Sequence, residues 1–593
     1  MVSRSSGKRL SGRSSKRSGK RSTQKSKRQG TAQKGVTATR GKRKKGRSKG
    51  DQEKDVGEVE LSPRQRLIKE RAAAKQRRET ISFVSTVFAG CAFIGLLVGL
   101  LLDPKLGVAA GGALMCLVMS FKFQRLALYA FIMYIPFAGT VTYALGGNSL
   151  LQIAKDVFYI PALIGVYQFC RKNKLPIILP ETIKPPLIFL IIVVSITTLF
   201  VNLPDQIGQV EGKYPLVMAI WGAKVLFGYM PVVACIYYLI RDKKDLMGLL
   251  RLQAVLVLVA SSLGLIQYAM LRAGICRGTV GFGEEMFRAS LQARCFVGGS
   301  LLYSPEVGQI RLPGTFVAPW QWAWFLISAS FFSFGTAFND ESPFWRIVGL
   351  VSLVAVMIMA VVSGQRIALV LVPVVLGVLV VLTGQIKNLK RFLPIGVLLG
   401  LILTYLVTTN PAVVTGRVDS LMSRWQASPP QQFIAEQFDQ VLREQEGIFG
   451  RGVGRATNSA RTFANTTLIE TYHPKVIYEL GPIGLIAVLS LYTVLTVTTF
   501  RVYRKTKDKS LRGYAASMWV FILFISYWPF YYPLDVDPVA VYYWLAAGIV
   551  LKIPELERQE AEKAALLAQS EDETVLKPRK GRRRVRKEMP AFE

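Results

Sequence analysis

Long apolar runs recur along most of this chain, between Ile81 and Leu551. Each run is about 18–24 residues long, which is the length of helix that crosses a hydrocarbon core about 30 Å thick. A helix satisfies its own backbone hydrogen bonds in lipid, whereas barrel strands would be shorter and would alternate in polarity, which these runs do not. The pattern therefore predicts an all-α, polytopic transmembrane helical bundle of about 12–14 spans.

The runs predict fourteen spans, of which the second and the last have the weakest apolar signal. Together they form a transmembrane domain at 81–552 with two large extracytoplasmic loops, 272–316 and 410–476. The second loop contains helical stretches such as Gln431–Gln445. The predicted spans are 81–101, 105–121, 126–145, 150–169, 186–202, 216–240, 246–270, 317–338, 346–363, 367–385, 392–409, 477–500, 513–531 and 538–552.

Positive charge is concentrated in two tails, at 1–80 and 553–593. Residues 1–80 contain 27 Lys and Arg against 7 Asp and Glu and almost no large apolar side chains, which predicts a disordered segment. A net charge of +37 is compatible with nucleic-acid binding. Its location instead favours cytoplasmic tails that attract anionic lipid headgroups, so membrane lipids are expected partners and a specific nucleic acid is not.

Lys and Arg also mark alternate turns between the spans. If the first tail is cytoplasmic, the even-numbered turns should be cytoplasmic too, and most of them are short and basic, as the positive-inside rule requires. Asn339–Arg346 is the exception, because it is acidic. The chain is therefore predicted to have both termini in the cytoplasm. The turns predicted on this side are Lys122–Arg125, Arg171–Lys174, Arg241–Lys244, Asn339–Arg346, Lys387–Arg391 and Arg501–Arg512.

The sequence has neither a nucleotide-binding signature nor a metal-ligand pattern. There is no GxxxxGK[ST] segment, and the chain has one histidine and no Cys/His spacing typical of a metal site. No cofactor is expected, and the energy for a reaction would have to come with a membrane-supplied substrate. Cys276 and Cys295 share the loop 272–316, where oxidation is permitted, and the sequence is compatible both with a disulfide and with two free thiols.

Two basic residues stand near the outer ends of predicted spans. The turn Ser363-Gly364-Gln365-Arg366 interrupts a long apolar hairpin, and Arg366 either snorkels to the interface or holds a phosphate through its bidentate guanidinium group. Lys224 lies several residues inside its span, where a charge marks either function or snorkelling. Lys155 and Asp156 also fall inside a span, and the simplest expectation is that they neutralise each other.

Further candidates follow in the two large loops. Arg311-Leu-Pro-Gly-Thr-Phe316 leads into a span whose tryptophans, Trp320 and Trp322, suit either an interfacial aromatic belt or stacking on sugar rings. In the second loop, closely spaced glycines at 447–454 suit tight turns or close approach to a ligand. Arginines that flank the glycines of this loop suit the binding of an anion. These are Arg417, Arg424 and Arg455.

Near the end of the second loop lie Glu470 and His473, the only histidine of the chain. An imidazole with a pKa near 6.5 can remove the proton of an acceptor hydroxyl at neutral pH. A lone histidine is also commonly incidental, so both interpretations of His473 stand.

These segments together resemble the O-antigen ligase and O-antigen polymerase superfamily over roughly residues 120–530. Their order, spacing and shared predicted side carry the resemblance, since each segment alone is short. The segments are the Ser-x-x-Arg element at Ser363–Arg366, the Arg-x-x-Gly-Thr-Phe-x-x-Pro element from Arg311 to Pro319, the Gly-Arg…Trp…Gly-x-Gly series from Gly416 to Gly454, and the Glu-x-Gly-x-x-Gly-Leu element at Glu479–Leu485.

The resemblance implies a glycosyltransferase of the bacterial inner membrane. Such an enzyme moves a glycan from an undecaprenyl-pyrophosphate carrier to a glycan or lipid acceptor at the outer face of that membrane, without a metal. It implies that Arg366 binds the pyrophosphate and offsets its developing charge, with help from Arg311 and from Lys224 and Arg417. His473 would then be the general base on the acceptor hydroxyl.

The sequence departs from the family's pattern at the base. The family places His-Asn about nine residues before the glutamate, whereas His473 lies six residues before Glu479 and is followed by Pro474; Glu470 occupies the nine-before position. The base is therefore His473 or Glu470, or His473 is incidental. Gln365, where the family has a small residue, is a lesser deviation.

Two other classes of protein stay open. A lipid-linked oligosaccharide flippase or another transporter would suit many spans but should show repeats and charges near the midplane, and no repeat is seen. A scaffold that displays its basic tails would leave the large loops unexplained. Within the transferase class, the sequence does not distinguish ligase from polymerase.

Overall fold

The computed structural model describes residues 63–576, with gaps at 147–153, 209–212, 284–292, 300, 305–308, 446 and 532 and with much of 387–410 left out. Helices make up 79% of the structure, with almost no strand in its described part, and the predicted all-α polytopic bundle is confirmed. Residues 1–62 and 577–593 of the two predicted tails lie outside the described residues, and 553–576 continue the last helix. Residues 63–80, placed by sequence in the first tail, begin a 39-residue helix rich in strong helix formers.

The described helices are joined by short turns and by longer loops. In chain order they are α1 (Pro63–Leu101), α2 (Pro104–Lys122), α3 (Gln124–Tyr134), α4 (Ala138–Ala144), α5 (Asp156–Asn173), α6 (Lys184–Thr197), α7 (Leu203–Ile207), α8 (Pro215–Phe227), α9 (Val232–Leu239), α10 (Lys243–Arg272), α11 (Pro319–Asn339), α12 (Pro343–Val362), α13 (Arg366–Leu382), α14 (Pro411–Ala427), α15 (Pro430–Glu444), α16 (Tyr472–Lys505), α17 (Lys509–Tyr527) and α18 (Asp537–Leu576). An antiparallel pair, β1 (Leu302–Ser304) and β2 (Gln309–Arg311), lies between α10 and α11.

Nine helical segments in the described part of the chain are long and apolar enough to cross a membrane. Four further predicted spans are also helical, namely α5, α11, α13 and α17. Of these, α13 has 17 residues, and the other three contain more polar residues. The remaining predicted span, 392–409, lies largely outside the described residues. The chain is therefore a multi-pass membrane protein.

Helix α11 lies at the centre of the bundle, because every residue from Trp322 to Asn339 is buried. It contacts α10, α12, α13, α17 and α18. Its Ser328 hydroxyl donates to the backbone of the preceding turn (2.8 Å), and the rings of Phe331 and Phe521 pack with centroids 4.8 Å apart. A helix enclosed by other helices needs no lipid-facing apolar surface, which explains its polar content.

The turns predicted to share the cytoplasmic side meet at one end of the bundle. We call this the turn end and define it by residues 122–125, 171–176, 239–245, 339–342 and 505–510. Ion pairs and a hydrogen bond join the turns to one another: Arg125–Asp245 at 2.6 Å, Lys243–Asp508 at 2.9 Å, Lys243–Glu341 at 2.6 Å and Ser510 Oγ to the Asn339 carbonyl at 2.6 Å. The turn Lys387–Arg391 lies largely outside the described residues.

Candidate functional site

Several loops interlock at the opposite end of the same helices. We call it the loop end and define it by residues 134–146, 271–318, 363–366, 447–473 and 528–537. Backbone hydrogen bonds connect these segments, from Thr140 N to Thr315 O (3.0 Å), from Leu312 N to Ser363 O (2.9 Å) and from Tyr472 N to Pro529 O (2.8 Å). The loop end contains Arg311, Arg366, Arg455, Glu470 and His473 of the predicted site.

The first large loop is held in place by a disulfide and by the β1–β2 hairpin. Cys276 and Cys295, which the sequence left open, are bonded. After β2 the chain turns at Gly314, where φ is +55° and a Cβ atom would lie 2.4 Å from the Trp322 ring. The Leu-Pro-Gly-Thr turn therefore requires glycine, and it leaves Arg311 exposed at the end of β2.

The turn between α12 and α13 places polar groups beside that hairpin. Gly364 has a φ of +71°, which reverses the chain between Ser363 and Gln365. Ser363 is 0% exposed and Gln365 is 8% exposed. The Ser363 hydroxyl and Gln365 Nε2 have no hydrogen-bond partner among the described residues. Arg366 is half-buried and begins α13. The Leu312–Ser363 hydrogen bond thus brings the Arg311 and Arg366 segments together.

The glycine-rich part of the second loop packs against the start of α16. A Cβ atom on Gly450 would lie 2.6 Å from the Gly481 nitrogen, and both glycines have positive φ. The N–H groups of Arg451 and Gly452 donate to the carbonyls of Tyr478 (2.7 Å) and Glu479 (3.2 Å). Here the glycines allow the loop to pack closely on a helix, a use that the sequence did not suggest.

Asn202 holds the same loop from the other side. It is 0% exposed, and its carboxamide accepts from Val453 N (2.9 Å) and donates to Val453 O (3.1 Å). A buried asparagine in an apolar span is costly unless its amide is fully hydrogen-bonded, which the loop backbone achieves.

Three charged side chains meet where α16 begins, with Lys475 and Glu479 buried and Asp535 partly buried. Lys475 forms an ion pair with Asp535 and lies 4.0 Å from a carboxylate oxygen of Glu479. The same Glu479 oxygen accepts from Ala456 N (2.8 Å) and from the Thr457 hydroxyl (2.9 Å). The carboxylate therefore connects the glycine-rich loop to α16, and Lys475 offsets the negative charge.

His473 lies two residues before Lys475 of this cluster and is 9% exposed. Its ring interacts with the backbone of Ser526, and its Nε2 atom has no partner among the described residues. In the neutral ring that carries its proton on Nδ1, the Nε2 lone pair is available. A proton could be accepted at this atom.

Glu470 lies just before α16 and is half-buried. Its backbone N–H donates to the side chain of Gln437 (2.9 Å), on helix α15. Helix α15 packs on α16 through Val441 and Phe438, so it covers the segment that holds both candidates for the base.

Two of the predicted anion-binding cations are already engaged by carboxylates. Lys224 pairs with the buried Asp156 and lies over the Trp221 ring at 4.8 Å. Arg455 pairs with Asp205. Each carboxylate offsets the positive charge of a residue that the sequence suggested would bind a phosphate. Arg417 and Arg424 lie on α14, and Arg311 has no carboxylate partner among the described residues.

The expectation that Lys155 and Asp156 neutralise each other is wrong. Lys155 pairs with Asp537 at the start of α18, whereas Asp156 pairs with Lys224 on α8. Adjacent residues on a helix point about 100° apart, so each meets a different neighbouring helix. The Tyr229 hydroxyl also donates to Asp537 (3.2 Å).

Sequence reasoning missed Asn202 and Lys475, which contact the loop end, and Asp535, which belongs to it. A polar or charged residue in or beside an apolar run was the available signal, since such residues are costly in a membrane. Their partners lie 251 residues away for Asn202 and 60 residues away for Lys475, which no local pattern reveals.

The chain was compared with models of protein families and with curated proteins. No protein-family model matches the chain, and no curated protein matches it significantly.

Proposed function

We propose that this protein is a glycosyltransferase of a bacterial cytoplasmic membrane. It would transfer a glycan from an undecaprenyl-pyrophosphate carrier to an acceptor sugar at the outer face, as an O-antigen ligase or polysaccharide polymerase does. The proposal extends the resemblance of Ser363–Arg366, Arg311–Pro319 and Glu479–Leu485 to that superfamily.

One observation carries the proposal: the Leu312–Ser363 hydrogen bond (2.9 Å) places two basic segments side by side at the loop end. Arg311 and Arg366 are 55 positions apart, yet this bond aligns the strand that ends in one with the turn that ends in the other. Two guanidinium groups in one region suit the two phosphoryl groups of a pyrophosphate.

The proposed step is a single displacement. The acceptor hydroxyl oxygen attacks the anomeric carbon and forms the new glycosidic bond. The bond from that carbon to the phosphate oxygen breaks, and its electron pair leaves with the lipid pyrophosphate. Arg366 and Arg311 stabilise the negative charge that develops on the leaving group. The acceptor proton moves to Nε2 of His473, the nitrogen that is left without a partner.

The predicted orientation supports placing this chemistry outside the cell membrane. The turn end is joined by the basic turns, which the positive-inside rule assigns to the cytoplasm. The loop end carries the Cys276–Cys295 disulfide, and disulfides persist in oxidising compartments. In this orientation both termini are cytoplasmic and the loop end faces outward.

A flippase or another transporter is the second candidate. The half-buried pairs Lys155–Asp537 and Lys224–Asp156 favour it, because ion pairs between helices of a bundle are typical of substrate or proton pathways. Such pairs also serve as structural links between helices, so they weigh less than the two joined arginine segments.

The proposal is tested with Arg366→Ala in a host that makes the surface glycan. We expect mature glycan to fall at least tenfold and the lipid-linked precursor to accumulate in the outer leaflet. The same assay on His473→Ala and Glu470→Ala identifies the base. Membrane levels of each variant are measured so that loss of insertion is recognised.

The location of the precursor separates the two candidates. A blocked transferase leaves precursor that an external lectin can reach, whereas a blocked flippase leaves it on the cytoplasmic leaflet. Normal surface glycan from Arg366→Ala that is fully inserted would contradict the transferase proposal.

A further inference from the structure

Buried hydrogen-bond donors without partners are grouped at the start of α13. Ser363 and Gln365 are 0% and 8% exposed, and the Ser363 hydroxyl and Gln365 Nε2 have no partner among the described residues. A buried polar group left unpaired destabilises the fold. Two such groups within three residues indicate that something else pairs with them.

The helix that follows is also uncapped. Within the described part of the chain, no side chain accepts from its first N–H groups, and its first turn contains no acidic residue. The N-terminus of a helix carries partial positive charge and presents free N–H donors. Here that end of α13 coincides with the two buried donors and with Arg366.

The chemistry of these groups identifies the class of ligand. A guanidinium group and helix N–H groups can only donate, and the carboxamide nitrogen also donates. A neutral sugar brings donors as well as acceptors, whereas a phosphate oxygen at neutral pH only accepts. The cluster therefore suits a phosphate better than a sugar hydroxyl.

We propose that Gln365 is a specificity-determining residue whose side-chain N–H donates to a phosphate oxygen of the lipid-linked donor, beside the Ser363 hydroxyl and Arg366. This inference rests on the proposed function and names a residue particular to this chain, because the related families have a small residue at this position. The carboxamide would strengthen ground-state binding of the pyrophosphate.

A matched pair of glutamines permits a clean test. Gln253, on α10, is 2% exposed, and its Nε2 atom also has no partner among the described residues. It lies on the first half of α10, towards the turn end. Methionine has nearly the same length as glutamine but no donor. Gln365→Met and Gln253→Met thus remove the same atom type from buried positions in two regions.

The experiment uses the full-length protein in phosphatidylcholine nanodiscs and titrates farnesyl pyrophosphate, with farnesol as the uncharged probe. Gln365→Met should weaken the binding of farnesyl pyrophosphate about 10–100-fold, which is the range for a hydrogen bond to a charged group. Gln253→Met should bind as the wild type does. Ser363→Ala, a smaller change, is measured as a second variant, and thermal unfolding checks the fold of each.

The outcomes are separable. If Arg366→Ala loses affinity but Gln365→Met and Ser363→Ala do not, the inference about these donors is wrong and the proposed function stands. If Arg366→Ala also keeps its affinity, the proposed phosphate site itself is wrong. Equal weakening in Gln253→Met would assign the effect to packing and overturn the inference.

A lipid headgroup could supply the same phosphate chemistry. Repeating the titration in phosphatidylglycerol nanodiscs distinguishes this source. If the anionic headgroup occupies the site, farnesyl pyrophosphate affinity falls sharply there in the wild type and hardly changes in Gln365→Met. That result would overturn a role specific to the lipid-linked donor.

Discussion

Polar groups at the two ends of the bundle differ in whether they have partners within the chain. At the turn end, charges are joined across helices: Arg125 to Asp245, Lys243 to Asp508, and Arg251 to Asp340 in a bidentate pair with both contacts at 2.8 Å. Such pairs link helices that are far apart in sequence. Three cations at or near this end, Arg125, Lys243 and Arg251, are therefore paired with carboxylates of the same chain.

The loop end also contains ion pairs, but it combines them with buried donors and acceptors that have no partner in the described chain. These atoms are Tyr134 Oη, Gln309 Oε1, Ser363 Oγ, Gln365 Nε2, Thr471 Oγ1, His473 Nε2 and Trp528 Nε1. Because most buried polar groups in proteins are paired, a concentration of unpaired ones calls for an explanation. A group of unpaired donors therefore indicates a ligand site better than positive charge, or a single unpaired donor such as Gln253 Nε2, does.

The largest effect on stability is expected from Arg251→Met at the turn end. Asp340 is 0% exposed, and removal of its guanidinium partner leaves a buried charge uncompensated. Because Arg251 is partly exposed, the loss should fall near the lower end of about 3–5 kcal/mol. Thermal unfolding in detergent should show a clearly lower midpoint, while farnesyl pyrophosphate affinity of the folded protein stays unchanged.

Arg558→Met serves as the control for this change. Arg558 and Glu562 are 71% and 66% exposed and lie 3.6 Å apart, so their separation should cost less than about 1 kcal/mol. If Arg251→Met lowered the affinity of the folded protein, the two ends would be coupled and the comparison between them would fail.

A smaller effect is expected from Gly450→Ala at the loop end. The new Cβ atom would lie 2.6 Å from the Gly481 nitrogen, at a φ of +74°. The strain is on the order of 1–3 kcal/mol and should loosen the loop from α16. We expect faster proteolysis within 447–471 and reduced glycan transfer, with little change in the midpoint of global unfolding.

Gly447→Ala separates contact from backbone strain. Gly447 has a φ of +63°, but nothing lies within 4 Å of its Cβ position. It should therefore show only the smaller cost of the left-handed conformation, about 1–2 kcal/mol. Equal behaviour of the two variants would show that docking on α16 does not matter for the loop end.

Much of the architecture could be predicted because it follows from local physics. Apolar length fixes where a helix can cross lipid, and the spans coincide with helices wherever the structure describes them. The charge of each short turn predicted which turns lie together, and the contacts of Arg125, Lys243 and Asp508 join those turns. Even the acidic turn fits, since Asp340 and Glu341 pair with basic residues of α10.

The site could be predicted less well, because its chemistry depends on partners that are distant in sequence. Lys224 and Arg455 looked available for a phosphate, yet their carboxylates lie 68 and 250 residues away. The sequence also does not reveal that Gln365 Nε2 has no partner, because this depends on which groups the fold places near the α13 N-terminus. A pattern of residues identifies candidate groups, whereas only the packed chain shows which of them are already satisfied.

The smallest effect is expected from Asp508→Asn at the turn end. Asp508 caps α17 through Leu511 N (2.9 Å) and pairs with Lys243, and asparagine keeps the cap while removing the charge.

The pKa of Asp508 makes this effect depend on pH. Burial raises the pKa of Asp508, but the hydrogen bonds from Leu511 N and Lys243 lower it further, so that the net pKa lies below its ordinary value. Because its pKa is lower in the folded protein, ionised Asp508 stabilises the fold fully above the unfolded-state pKa of about 4. That stabilisation is lost as the pH falls through the pKa of the folded state. With a third of the side chain exposed, we expect a difference from the wild type of less than about 1 kcal/mol at pH 7 that shrinks towards zero below pH of about 4. Thermal unfolding of both proteins across this pH range measures it, and Asp508→Ala, which also loses the cap, should cost about 1 kcal/mol more. A difference that grew on acidification would mean that the Lys243–Asp508 pair does not stabilise the turn end, and the contrast between paired and unpaired ends would lose that support.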